Sequence, residues 1–162
     1  VEYRALDVRD AAAFAALVDE LQKDGKLAGV IHGAGVIDDK LLKDKTPESF
    51  EKVFGTKVDS ALTLVKALDP RRVRFLAFFA SITSRYGNRG QSDYAAANEV
   101  LSKLAADLDR RWPGRVVSVA WGPWGPGSRW TRWCSAGRGR RRWWWPAGPS
   151  SRRGRRSRRP RR

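Results

Sequence analysis

Apolar side chains return along this chain in two rhythms, short strand-like runs and longer stretches of helical spacing, and the two alternate. Residues 1–6 read as a short strand that closes in Asp7-Val8-Arg9-Asp10. Asp10 is placed to cap a helix through about residue 24, with Ala11, Phe14, Leu17, Val18 and Leu21 on one stripe and Gly25 ending it. Residues 27–31 are wholly apolar, which predicts a parallel strand covered on both faces. That run stops at His32-Gly33-Ala34-Gly35. Thr46 caps the next helix and Pro47 takes its first position. This helix extends to about residue 68, with Phe50, Val53, Phe54, Val58, Ala61, Leu62 and Val65 facing inward. A third strand over 72–80, a helix over 92–112 and a fourth strand over 115–120 follow, closing in Trp121-Gly122-Pro123-Trp124. Strands alternating with helices imply right-handed crossovers and a parallel sheet.

Composition changes this picture at one end only. The formal net charge of +16 suggests a nucleic-acid partner. However, residues 1–125 carry 19 basic against 17 acidic side chains, whereas residues 126–162 carry 14 arginines and no acid. The body therefore has the charge balance of an ordinary soluble domain, and no basic stripe crosses it. The tail lacks Leu, Ile, Val, Lys, Asp and Glu, so it can build neither a core face nor a charge-balanced helix, and disorder is expected. Arginine interleaved with tryptophan also suits single-stranded nucleic acid or anionic lipid, which keeps a non-enzymatic basic binder as the alternative reading. The same residue set matches GC-rich DNA translated in a shifted frame. Cys134 is the only cysteine, which leaves no disulfide framework and no cysteine metal site, and no metal role is expected. No apolar run approaches the roughly 20 residues that span a bilayer, and no signal peptide opens the chain, so a cytoplasmic body is expected. The start at Val1, in mid-pattern, suggests a fragment.

One stretch concentrates candidate chemistry. Ser81 closes the 72–80 strand, a Gly-rich loop follows, and Tyr94 and Asn98 fall on the first turns of the next helix. A spacing of four puts the last two on one helical face, about 6 Å apart at Cβ. Open α/β sheets hold ligands where the carboxyl ends of strands meet such helices. A phenol held beside a carbonyl oxygen can donate its proton as hydride arrives at carbon, and a serine bonded to the same oxygen stabilises the charge developing there. Lys57 lies 37 residues before Tyr94, on the helix expected to pack beside it, and a nearby ammonium favours the phenolate. Asn98 would support the lysine, or a water, by hydrogen bonding. Taken singly, each has a plainer reading as a solvated lysine, a packing tyrosine or a strand-ending serine. The offsets carry weight only together.

Those offsets, inside Gly-Asn-Arg-Gly-Gln-Ser-Asp-Tyr-Ala-Ala-Ala-Asn at residues 87–98, resemble the catalytic stretch of ketoreductase domains of polyketide synthases and related multienzymes. These domains are a branch of the short-chain dehydrogenase/reductases. Most of that superfamily places the lysine four residues after the tyrosine. This branch has Asn there and the lysine on the preceding helix, as here. The resemblance covers residues 1 to about 125 and implies further roles. Asp7 and Val8 match an adenine-contacting pair, with Asp7 as the acceptor. His32, Gly33, Ala34 and Gly35 match a turn beside the cofactor, with His32 structural. Pro123 belongs to the loop over the nicotinamide. Ile37-Asp38-Asp39 resembles the Leu-Asp-Asp signature of B-type members, position 86 holds Tyr where A-type members carry Trp, and Gln91 joins Asp38 and Asp39 in stereocontrol. The resemblance implies NADPH-dependent reduction of a β-ketoacyl thioester on an acyl carrier protein to the D-β-hydroxyl, beside other domains of a multienzyme synthase. No specific nucleic acid and no membrane partner are implied.

Departures from the family pattern matter as much. The family domain begins with a strand, a Gly-rich turn and a helix whose amino terminus cradles the pyrophosphate. No Gly-x-Gly-x-x-Gly occurs in this chain, and the basic residue that selects the 2′-phosphate is absent too. The fold expected is therefore α/β, a truncated Rossmann-type doubly wound parallel sheet with a disordered C-terminal tail. Residues 1–125 form the C-terminal part of the domain and residues 126–162 the tail. In the family's strand order of 3-2-1-4-5-6 the 1–6 segment has no neighbour, and residues 27–120 carry the dependable sheet. The chain as given is expected not to turn over ketone.

Overall fold

A computed structural model describes residues 1–122 and 132–136. Helix α1 (Ala11–Gln22) begins where the Asp10 carboxylate accepts from Ala13 N at 3.0 Å. Strand β1 (Gly29–His32) follows, then a single 3-10 turn at Leu42–Asp44. Thr46 Oγ1 accepts from Ser49 N at 3.2 Å to open helix α2 (Pro47–Ala67), and the fixed φ of Pro47 suits the first helical position. Strand β2 (Phe75–Ser81) passes through a short helix α3 (Thr83–Tyr86) into helix α4 (Ser92–Arg111), and strand β3 (Arg115–Trp121) completes the alternation.

The strands order as β1-β2-β3, all parallel, with Gly29 opposite Phe75 and Ser81 opposite Trp121. Strand β4 (Arg132–Ala136) adds an antiparallel edge on β3. It lies inside the stretch whose composition predicts no ordered element. The free edge of β3 offers a row of backbone donors and acceptors, and pairing with them needs no apolar side chains.

Helices α1, α2 and α4 gather on one face. Val18, Ala61, Leu64, Leu76, Phe78, Leu101, Ala105, Leu108 and Val116 form the shared core. Along β2, Leu76, Phe78 and Ala80 point to the helices and are buried, while on the other side Phe75 and Phe79 are 42% and 36% exposed and only the small Ala77 between them is covered. Ile31 on β1 is 59% exposed as well. The expectation that residues 27–31 are covered on both faces is therefore corrected, because among the described residues no element packs on the second face. Phe75 lies across Gly29, where a Cβ would overlap its ring.

Three other expectations shift. Residues 1–6 are not a strand: no neighbouring strand among the described residues satisfies their backbone, and all but Leu6 are exposed. Leu21 and Leu62 point to solvent, and the polar Gln22 and Ser60 take buried places instead. Gln22 is satisfied there, since its amide nitrogen donates to Ala67 O at 3.0 Å and its oxygen accepts from Asp69 N at 2.7 Å, tying α1 to the end of α2.

Candidate active site

The turn after β1, the carboxyl-terminal part of β2 and the first turn of α4 converge on Lys57. This side chain is 4% exposed. Its ammonium donates to Phe79 O at 2.9 Å and Ala34 O at 3.2 Å, one carbonyl from β2 and one from the turn after β1. From that anchor it stands 5.7 Å over the centroid of the Tyr94 ring. Burial pulls its pKa from 10.5 down to about 8, because an ammonium withdrawn from water loses hydration. Gly35 packs against the same head group, with a Cβ there only 3.3 Å from Nζ. A side chain at position 35 would crowd the ammonium.

Ser81 is the last residue of β2, two positions past the carbonyl that holds Lys57, and it is 8% exposed. Its Oγ accepts from Thr83 N at 3.2 Å, which fixes the hydroxyl where the strand turns into α3. Tyr94 is the third residue of α4, and its backbone N–H donates to Asp93 Oδ1 at 2.8 Å. Asn98, one turn on, is fully buried. Its amide nitrogen donates to Tyr94 O at 2.7 Å, and Oδ1 has no hydrogen-bond partner among the described residues. Of the two partners the sequence reading allowed Asn98, the lysine or a water, the bond to Lys57 is not formed. Two carbonyls of other elements take that place.

His32 is 4% exposed and its Nε2 lies 2.8 Å from Ser60 Oγ. The Ser60 hydroxyl has one proton, directed to Thr56 O at 2.5 Å, so His32 Nε2 is the donor to it. Burial, reinforced by the Lys57 charge, lowers the His32 pKa to about 4. The imidazole is thus neutral near pH 7 and braces β1 against α2.

The remaining candidates fall into two groups. Asp38 accepts from Ser49 Oγ at 3.0 Å and Lys40 Nζ at 3.2 Å, and the Lys40 ammonium, then Ser49, holds its carboxyl below the usual range. Asp39 accepts from Gln91 Nε2 at 2.9 Å, which brings the Asp38–Asp39 loop against the turn before Tyr94. Asp7 lies apart from this cluster. Its carboxylate accepts from the Arg9 guanidinium at 2.7 Å and 3.1 Å and from the Arg9 backbone N–H at 3.0 Å, and these bonds hold its pKa at about 2. Pro123 lies outside the described residues. Sequence reasoning passed over Lys45 and Asp93, which form a buried ion pair below Tyr94. An acid in the first turn of a helix, next to a candidate tyrosine, was the available signal.

Comparison with known proteins places this geometry. The family model described as KR domain matches residues 1–126. A polyunsaturated fatty acid synthase polypeptide of Thraustochytrium sp. is 38% identical over 127 residues, 77% of this chain and 4% of that protein. A ketoreductase from the macrolactin assembly line superposes with a TM-score of 0.71 at 31% identity, over 76% of this chain and 26% of that one. The ketoreductase from the first module of phoslactomycin biosynthesis in Streptomyces gives 0.69 at 38% identity, over 78% and 29%. The chain thus spans under a third of each of these solved ketoreductases and a small part of the fatty acid synthase. With the match running through the strands and helices that hold Lys57 beside Tyr94, this chain belongs to the KR domain family, the ketoreductase domains of polyketide synthases.

Proposed function

We propose that this chain is the catalytic part of an NADPH-dependent ketoreductase that reduces a β-ketoacyl thioester to the D-β-hydroxyacyl thioester. The thioester is carried on the phosphopantetheine arm of an acyl carrier protein within a multienzyme synthase. The observation that carries the reading is the Lys57 ammonium, anchored on Ala34 O and Phe79 O, over the ring of Tyr94. NADPH, when bound, supplies hydride to the carbonyl carbon. The Tyr94 phenol gives its proton to the carbonyl oxygen, which becomes the hydroxyl. The Ser81 hydroxyl donates to the same oxygen while negative charge builds on it. Lys57 stabilises the phenolate left behind, and a proton from solvent restores the phenol. The exposed Gly35, with no Cβ to fill the space beside Lys57, and the exposed Gly33 beside Phe79 suit the nicotinamide end of the cofactor. The Asp39–Gln91 bond supports B-type stereocontrol by seating that loop against the tyrosine turn.

No Gly-x-Gly-x-x-Gly occurs among the 162 residues to hold the pyrophosphate. Positioning hydride donor and ketone is worth roughly 7–11 kcal/mol, so the chain alone binds NADPH weakly and turns over little ketone. Titration with NADPH, followed by nicotinamide fluorescence, tests this; micromolar binding at 1:1 would contradict it. In a chimera that takes its amino-terminal unit and its lid from one of the solved ketoreductases, residues 1–125 should restore reduction and yield the D-alcohol. Tyr94→Phe in that chimera should cut turnover by about 10² to 10⁴, the worth of general acid catalysis. Near-normal turnover in Tyr94→Phe would refute the assignment, and the L-alcohol as main product would refute the stereochemistry.

A further inference from the structure

A buried ion pair lies under the first turn of α4 and takes no part in the chemistry above. Lys45 Nζ is 2.6 Å from Asp93 Oδ2, and the two side chains are 3% and 2% exposed. Every other ion pair among the described residues has at least one side chain 40% or more exposed. Lost hydration largely cancels the attraction in such a pair, so net stability is a poor reason for its presence. Geometry offers a better one.

Both partners have a second bond, and each leads toward the site. Asp93 Oδ1 accepts from Tyr94 N at 2.8 Å, and Lys45 Nζ donates to Asp38 O at 3.0 Å. A continuous line therefore runs from the Asp38 carbonyl through Lys45 and Asp93 to the backbone of Tyr94. Two further bonds run parallel to it. Gln91 Nε2 donates to Asp39 Oδ2 at 2.9 Å, and Lys40 N donates to Gly90 O at 3.0 Å. Gly90 permits the second, with φ at +82°, a backbone conformation that other residues rarely adopt. Helix α4 meanwhile begins without a side-chain cap of its own, the Gln91 amide being engaged with Asp39 and Asn88. The turn that presents Tyr94 is tied at several points to the 38–45 loop.

We propose that Lys45 is a positioning residue for Tyr94. Through Asp93 it locks the loop bearing Asp38 and Asp39 to the first turn of α4, so the residues beside the substrate and the acid keep one fixed relation. Lys45 also neutralises the carboxylate one residue from the phenol. The purpose of the lock rests on the ketoreductase reading, but its test does not.

The test uses the full chain with tyrosine labelled with 13C at ring Cζ. The chain holds three tyrosines, and Tyr94→Phe assigns the resonance of interest. Lys45→Met and Asp93→Asn should each displace or broaden the Tyr94 signal and leave those of Tyr3 and Tyr86 in place. Amide exchange should show the same coupling across 48 residues of sequence. Lys45→Met should speed exchange at Tyr94 N, and Asp93→Asn should speed it within 38–45, each by roughly tenfold or more, with residues 76–80 unchanged as the mark of local opening. Lys45→Arg keeps the charge and should restore the native spectrum. A single variant that fails to fold is replaced by Lys45→Met with Asp93→Leu, which removes both charges together and should fold with Tyr94 still displaced. A native Tyr94 signal and unchanged exchange in the folded variants would overturn the proposal and leave the ketoreductase reading intact. An active Tyr94→Phe chimera would do the reverse.

Discussion

Replacing Lys57 with methionine should make this fold more stable at neutral pH and less stable at high pH. The Lys57 pKa is about 8 in the fold against 10.5 in the free side chain, so holding the charge costs about 3 kcal/mol near pH 7. Methionine of similar length removes that cost. It also leaves Ala34 O and Phe79 O without the donor each now has, a loss of about 1 kcal/mol apiece. The balance is a gain of about 1 kcal/mol at pH 7, or roughly 3 °C in Tm. The sign then reverses with pH. The folded lysine gives up its proton near pH 8 and the unfolded one near 10.5, so the unfolded state binds more protons between these values and wild-type stability climbs. Above that window the cost is gone, and the variant is left about 2 kcal/mol behind through its lost hydrogen bonds. Urea unfolding followed by far-UV circular dichroism, from pH 6 to 10.5 on both proteins, measures the difference directly. A variant less stable at every pH, by a constant amount, would refute the reasoning and show that Lys57 is well hydrated.

Three further outcomes follow from the geometry. His32, the only histidine, should stay neutral to about pH 4. Its folded pKa lies below the unfolded 6.5, so its stability contribution is present above 6.5 and lost as pH falls toward 4; an NMR midpoint near 6.5 would contradict this. Gly29→Ala forces the Phe75 ring aside and should cost about 1–3 kcal/mol by thermal melting, whereas an unchanged Tm would show that the ring yields freely. Ile31→Lys should reduce both dye binding and self-association in light scattering, because Ile31, Phe75 and Phe79 form an exposed apolar face. Unchanged scattering would place the sticky surface elsewhere.

Much of the site was legible because its signals are local or collected in one stretch. Asp10 and Thr46 accept the hydrogen bonds of the helix starts their positions predicted. Ser81, Tyr94 and Asn98 fall on the strand end and helix turns that their spacing required. Where the reading failed, a partner distant in sequence was responsible. Gln22 displaced Leu21 from the core because carbonyl and amide groups some 45 residues later satisfy it. Residues 1–6 have strand-like residues but no adjacent strand among the described residues to complete a ladder.

What the amino-acid sequence determines alone is the succession of helices and strands, their caps, and the offsets that mark the family. These depend on interactions within about one helical turn, or on matching a whole pattern. Only the tertiary structure decides that Lys57 hangs from the carbonyls of Ala34 and Phe79 and that Lys45 meets Asp93 out of water. It alone shows that the helices gather on one face of the sheet and leave Ile31 and Phe75 exposed on the other. Burial and pairing of this kind are set by how the parallel strands register and how the helices pack on them, which brings residues 22 to 48 positions apart within reach of a hydrogen bond.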